Sequence, residues 1–245
     1  MKFPKEYLDL ILVPCGLLIM VAYHLFLLHR YINQPHTTVM GFENNDKGAW
    51  VDRIMQAEKR DVSTALSVIQ SNTSAATFLA SVSLTLSSLI GAWIANNSNI
   101  FFQSQLIYGD TKATVISIKY ICLLTCFLLA FSCFIQSARH FVHANYLISI
   151  PDSFVPASSV ELAVIRGGDF WSLGLRALYF ALDLLLWVFG PIPMIICSLV
   201  MVMVLHYLDS NSRPLHLDPN RSQGGKFQNA KNKKSSILEN EVQIR

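Results

Sequence analysis

Apolar residues gather along the chain in four long runs, Tyr7 to Leu28, Thr73 to Ala95, Ala113 to Ile135 and Ala177 to Tyr207. A helix rises about 1.5 Å per residue, so about 20 apolar residues cross a hydrocarbon layer about 30 Å thick. Each run reaches that length. Because lipid satisfies no backbone polar group, runs of this kind must be helices. The pattern predicts an all-α protein, a four-span transmembrane helix bundle over residues 1–208.

The sequence between the runs is uneven. His29 to Gly48, with Pro35, Gly41 and Gly48, reads as an irregular loop. From Trp50 to Gln70 the period turns helical, with Trp50, Val51, Ile54, Met55, Ala57, Val62, Ala65, Leu66 and Ile69 on one half of a wheel and Arg53, Lys59 and Arg60 on the other. This predicts one amphipathic helix, lying in the interface or docked on the bundle. Glu58 and Asp61 on its apolar half favour docking on protein. The short polar segment Asn96 to Lys112 makes the second and third spans antiparallel neighbours. Gln136 to Leu147 has no glycine or proline and can prolong the third helix until Pro151 and Pro156. Residues 209–245 turn polar and basic, which predicts a disordered tail.

Composition agrees with the membrane reading: 52% of residues are hydrophobic, 14% charged, and the mean hydropathy is +0.40. Lys2 and Lys5 before the first run resemble a secretory signal, but the run is too long and no small-x-small cleavage site follows it. It reads as a retained helix. All five cysteines lie inside apolar runs, which argues against a disulfide framework. Charge does not orient four spans. Lys2, Lys5, Lys112 and seven basic tail residues fall on one side, against eight basic residues closer to the membrane on the other.

The polar exceptions inside the runs are the candidates for chemistry, since a charge at the hydrocarbon centre costs at least about 2.5 kcal/mol. Asp9 and Lys119 fall near the face that holds the termini, and form one candidate pair. His24 and Asp183 fall near the opposite face and form a second. Gly190, Pro191 and Pro193 interrupt the fourth run, because proline removes a helix donor and constrains its predecessor. The halves are short, so the expectation is one broken or tilted span. Ser74, Thr77, Ser81, Thr85, Ser88 and Ala92 share one face of the second helix and read as a helix contact. His140 and His143 make only half of a metal site. Sequons stand at Asn72, Asn96 and Asn220.

Six segments carry a resemblance: Tyr7-Leu8-Asp9-Leu10, Tyr23-His24-Leu25, His36-Thr37-Thr38-Val39-Met40-Gly41, Ser117-Ile118-Lys119-Tyr120, Phe170-Trp171-Ser172-Leu173-Gly174-Leu175-Arg176-Ala177 and Trp187-Val188-Phe189-Gly190-Pro191-Ile192-Pro193-Met194. In order and spacing, over roughly residues 5 to 208, the chain resembles the plant membrane family called domain of unknown function five-nine-nine, which also has bacterial members. The resemblance implies a multi-pass membrane protein with no assigned activity. Asp183 departs from the resembled pattern, which carries an apolar residue or proline there.

The function expected is that of an interaction or scaffolding component, with Trp50 to Gln70 and the long third connection as its working surface. The alternative is a small oligomeric transporter or channel subunit that uses the intramembrane polar residues. Nothing points to an enzyme, a cofactor, a metal or nucleic acid. The partners expected are the lipid bilayer and other membrane proteins or further copies, in the plasma membrane or an endomembrane.

Overall fold

In the computed structural model the described residues are 5–56, 62–95, 112–150 and 155–211, all within the unit Met1–Ser212. They form helices α1 (Lys5–Asn33), α2 (Val39–Gln56), α3 (Val62–Ala95), α4 (Ala113–Ser149), α5 (Ala157–Phe189) and α6 (Pro191–Asp209), with a 3-10 turn at Pro35–Thr37. Five of these, all but α2, are long and apolar enough to cross a membrane. The expected tail beyond Asn211, the Asn96 to Lys112 segment apart from its last residue, and the sequons at Asn96 and Asn220 lie outside the described residues.

The fifth long helix corrects the count of four. It arises at Gly190, which is not a kink within one span but the end of one helix and the start of another. Gly190 has φ 148°, a conformation that costs an L side chain strain, and its N–H donates to the carbonyls of Leu186 and Trp187. Pro191 then occupies the first position of α6, where its missing N–H is no loss. The chain reverses there: Asp183 meets Ser198, and Arg176 meets Asp209. The halves are not short either. α5 begins at Ala157, twenty residues ahead of the apolar run, and α6 is 19 residues long.

The contacts order the five long helices. α5 packs on α4 and α6, α4 also on α3, and α1 on α6. Ile90 of α3, Tyr120 of α4, Trp187 of α5, Met194 of α6 and Val13 of α1 share one core cluster at the end of the bundle that holds Asp9, hereafter the near end. Glycines let α4 and α5 close. A Cβ at Gly174 would stand 2.7 Å from the Phe134 ring, and one at Gly167 would stand 2.6 Å from Phe141. Phe134 and Phe141 therefore seat in two notches, two helical turns apart, on α5.

At the other, far end, α3, α4 and α5 run on and build a second core with α2. Val51, Ala65, Ile69, Phe141, Ala144, Ile148, Val160, Ala163 and Val164 are buried together, with Trp50, Ile54, Met55, Val62 and Leu66 against them. These include most of the apolar positions read as one amphipathic helix from Trp50 to Gln70. That element is corrected to two, the end of α2 and the start of α3, and residues 57–61 lie outside the described ones. The periodicity holds on both sides because both helices face the same core.

His29 to Gly48 is corrected from loop to helix. α1 continues to Asn33, and α2 opens at Val39 with Thr38 as its cap, the Thr38 hydroxyl accepting from the Gly41 N–H at 3.2 Å. Gly41 interrupts nothing; a Cβ there would strike the Pro35 carbonyl oxygen.

The polar stripe on α3 is not the face that packs within this chain, among the described residues. Thr77, Ser81, Thr85 and Ser88 are exposed, each hydroxyl donating to the carbonyl four residues back. Such hydroxyls need no partner helix. The buried face is the neighbouring one, Ala76, Ala80, Ser83, Ser87 and Ile90.

Candidate functional site

The charges inside the bundle fall into three groups, stacked from the near end to the far end. At the near end, Trp187 is the hub. Its indole N–H donates to Asp9 Oδ1 at 3.0 Å, and the Lys119 ammonium lies 5.3 Å from the ring centroid. Asp9, Lys119 and Trp187 are each at least nine-tenths buried. Asp9 and Lys119, paired in the sequence reading, thus engage one aromatic side chain. A cation on an indole face and a carboxylate on its N–H use both poles of the ring, tying α1, α4 and α5 together.

Asp183 occupies the second level, fully buried, and the expected His24 to Asp183 pair is corrected. The Ser198 hydroxyl lies 2.9 Å from both Asp183 oxygens and 3.1 Å from the Met194 carbonyl. α1 closes over this pair at Gly16, where a Cβ would stand 2.9 Å from the Ser198 oxygen. His24 instead donates from Nδ1 to the Met20 carbonyl at 2.7 Å and packs on Phe180. The depths were misjudged because α5 runs from far end to near end and stops at Gly190. Asp183 is about two turns from that reversal, so it lies toward Asp9 rather than toward His24.

The far-end group was missed in the sequence. Asp209, read there as the first tail residue, accepts from the Arg176 guanidinium and from the Tyr23 hydroxyl at 2.8 Å. Asn211 N–H donates to the Thr37 carbonyl at 3.1 Å. Asp169 lies inside α5 and accepts from Tyr31 at 3.3 Å and Asn44 at 3.1 Å. α1, α2, α5 and α6 are thereby tied at one level. The available signal was Arg176, a cation at the edge of an apolar run whose far edge carries Asp209.

Two hollows flank these groups. One, of about 430 Å³, lies between α2 and the far-end core, walled by Trp50, Phe141 and Trp171 and rimmed by Glu43, Asp46 and Asn72. Lys47 crosses it, 3.6 Å from Glu43 and in contact with Gly168. The other, about 460 Å³ and mostly apolar, separates α1 from α4 and α5 around Leu28, Leu129 and Leu173. Among the described residues no three His, Cys, Asp or Glu side chains gather as a metal site.

No curated protein and no solved structure matches the chain. The resemblance read over residues 5 to 208 is borne out: residues 11–214 match the family described as protein of unknown function, DUF599, and the chain belongs to that family.

Proposed function

We propose that the protein crosses its membrane five times, with α1, α3, α4, α5 and α6, and serves as an interaction or scaffolding component through its far-end helical layer. One observation carries this reading. α4 and α5 have 37 and 33 residues, roughly 55 and 50 Å of helix, well beyond the roughly 30 Å of hydrocarbon. The excess supports a second hydrophobic core with α2, and anchoring alone needs no such layer. Its cleft, with carboxylates on the rim and tryptophans in the wall, combines the aromatic and charged features of a protein contact.

Photo-crosslinking in intact membranes tests this. A photoreactive side chain at the exposed rim residue Asp46 is expected to capture discrete protein partners that one at the exposed α1 residue Leu18 does not. Identical adducts from the two positions, or none from Asp46, would sink the proposal.

The transporter reading rests on Asp183, a carboxylate within the apolar part of the bundle. It has no exposed surface and is closed over by Gly16, Cys197 and Ser198. The interaction reading is therefore the better supported. Proton or ion flux in reconstituted vesicles that vanishes in Asp183→Asn would reverse the order.

A further inference from the structure

The α4–α5 hairpin places four basic side chains in one layer. The Ser137 hydroxyl donates to the Gly167 carbonyl at 2.7 Å, which sets the register of the two helices. His140, just beyond Ser137, then lies across from the stretch around Arg166, with Arg139 and His143 on the exposed side of the same turns. The His140 ring stacks on Phe170 at 5.5 Å, and the charges of Arg166, Arg139 and His143 all bear on it. Arg139, His143 and Arg166 are exposed, and neither arginine has an ion-pair partner among the described residues. The neighbouring carboxylate, Asp169, is turned to Tyr31 and Asn44. Like charges gathered in one layer on adjacent helices repel each other, and an anion between them relieves that repulsion.

Depth identifies the anion. Lys119 and Trp187 mark the near end of the apolar bundle. Arg139 lies about 20 positions along α4 from Lys119, and Arg166 about 21 along α5 from Trp187, so both are about 30 Å away, the thickness of the hydrocarbon layer. Arg30 of α1 emerges at a similar remove from Asp9. Directly inward of the cluster the surface is apolar: Ile135, one turn below Arg139, is 41% exposed, and Leu173, two turns below Arg166, is 49% exposed. A charged head over an apolar wall is the shape of a phospholipid.

We propose that Arg139, His140, His143 and Arg166 form a binding site for the headgroup of an anionic phospholipid, whose acyl chains lie along Ile135 and Leu173. Guanidinium groups suit phosphate because their donors match its oxygens in pairs. This inference uses the outer face of the hairpin and is independent of the cleft and its partners.

The test measures retention of phosphatidylglycerol over phosphatidylcholine by the full chain, purified from vesicles of the two lipids, using mass spectrometry. The parent is expected to prefer phosphatidylglycerol. Arg139→Gln with Arg166→Gln is expected to weaken that preference about thirty-fold, about fivefold per arginine, at unchanged helix content. Arg53→Gln, on α2 and away from the cluster, should retain it. If the double variant does not fold, each single variant is read instead for its fivefold loss. An unchanged preference in the variants, or none in the parent, would overturn the proposal. So would full displacement of the lipid by an equal concentration of inorganic phosphate, which would identify a free-phosphate site.

Discussion

Asp183 shows how this chain keeps a carboxylate inside an apolar bundle. One hydroxyl proton, from Ser198, faces two carboxylate oxygens and the Met194 carbonyl. The group is donor-poor. Asp183→Asn keeps the shape and brings two N–H donors of its own, so it is expected to melt within a few degrees of the parent in detergent. Asp183→Ala leaves a cavity and takes the carboxylate acceptor from the Ser198 hydroxyl, which keeps only the Met194 carbonyl, at roughly 1–3 kcal/mol. An Asn variant as unstable as the Ala variant would show that the full negative charge is needed, and with it a cation that this account does not place. Trp187 makes a similar point at the near end. Its ring answers Lys119 and its N–H answers Asp9, so two buried charges share a single neutral side chain.

Among the elements, α3 separates the two kinds of small residue most clearly. Ala80 is buried in the same core cluster as Phe134, whereas Ser81, the next residue, is exposed and bonded to its own helix. Ala80→Leu is expected to overpack that contact and cost about 1–3 kcal/mol. Ser81→Leu should leave unfolding nearly unchanged, because a lipid-facing leucine displaces no neighbour. Equal effects of the two substitutions on thermal unfolding would contradict this assignment of faces. Which residues are apolar and periodic was legible in the sequence; which element they belong to was not. The Trp50 to Gln70 pattern correctly marked residues bound for a core, yet periodicity is silent on a chain break when both sides share one phase. Hydropathy likewise placed the start of the fourth run at Ala177, since Glu161, Arg166 and Asp169 lower the average ahead of it. On the proposed five crossings those residues lie on the part of α5 that exceeds the hydrocarbon thickness. Gly190 and its prolines were visible as a break. That the break reverses the chain depends on the far-end partners of α6, Arg176 and Tyr23, which no local window contains.

For the whole molecule, the proposed fifth crossing changes the charge balance that four crossings left undecided. On the proposed five-crossing path Arg30, Lys47, Arg53, Arg139 and Arg166 fall at the far end, and Lys5 and Lys112 at the near end. On that path the positive-inside rule favours a cytosolic far-end layer. The proposed lipid site would then face the inner leaflet, where anionic lipids concentrate, and the cleft beside α2 would meet cytosolic partners. The most direct measurement is the sidedness of the two ends in intact cells, read by epitope tags before Met1 and after Arg245 under selective permeabilisation. The account predicts opposite sides, with the tag after Arg245 cytosolic and the tag before Met1 shielded until the membrane is fully opened. Both tags on the same side would mean an even number of crossings and would contradict it.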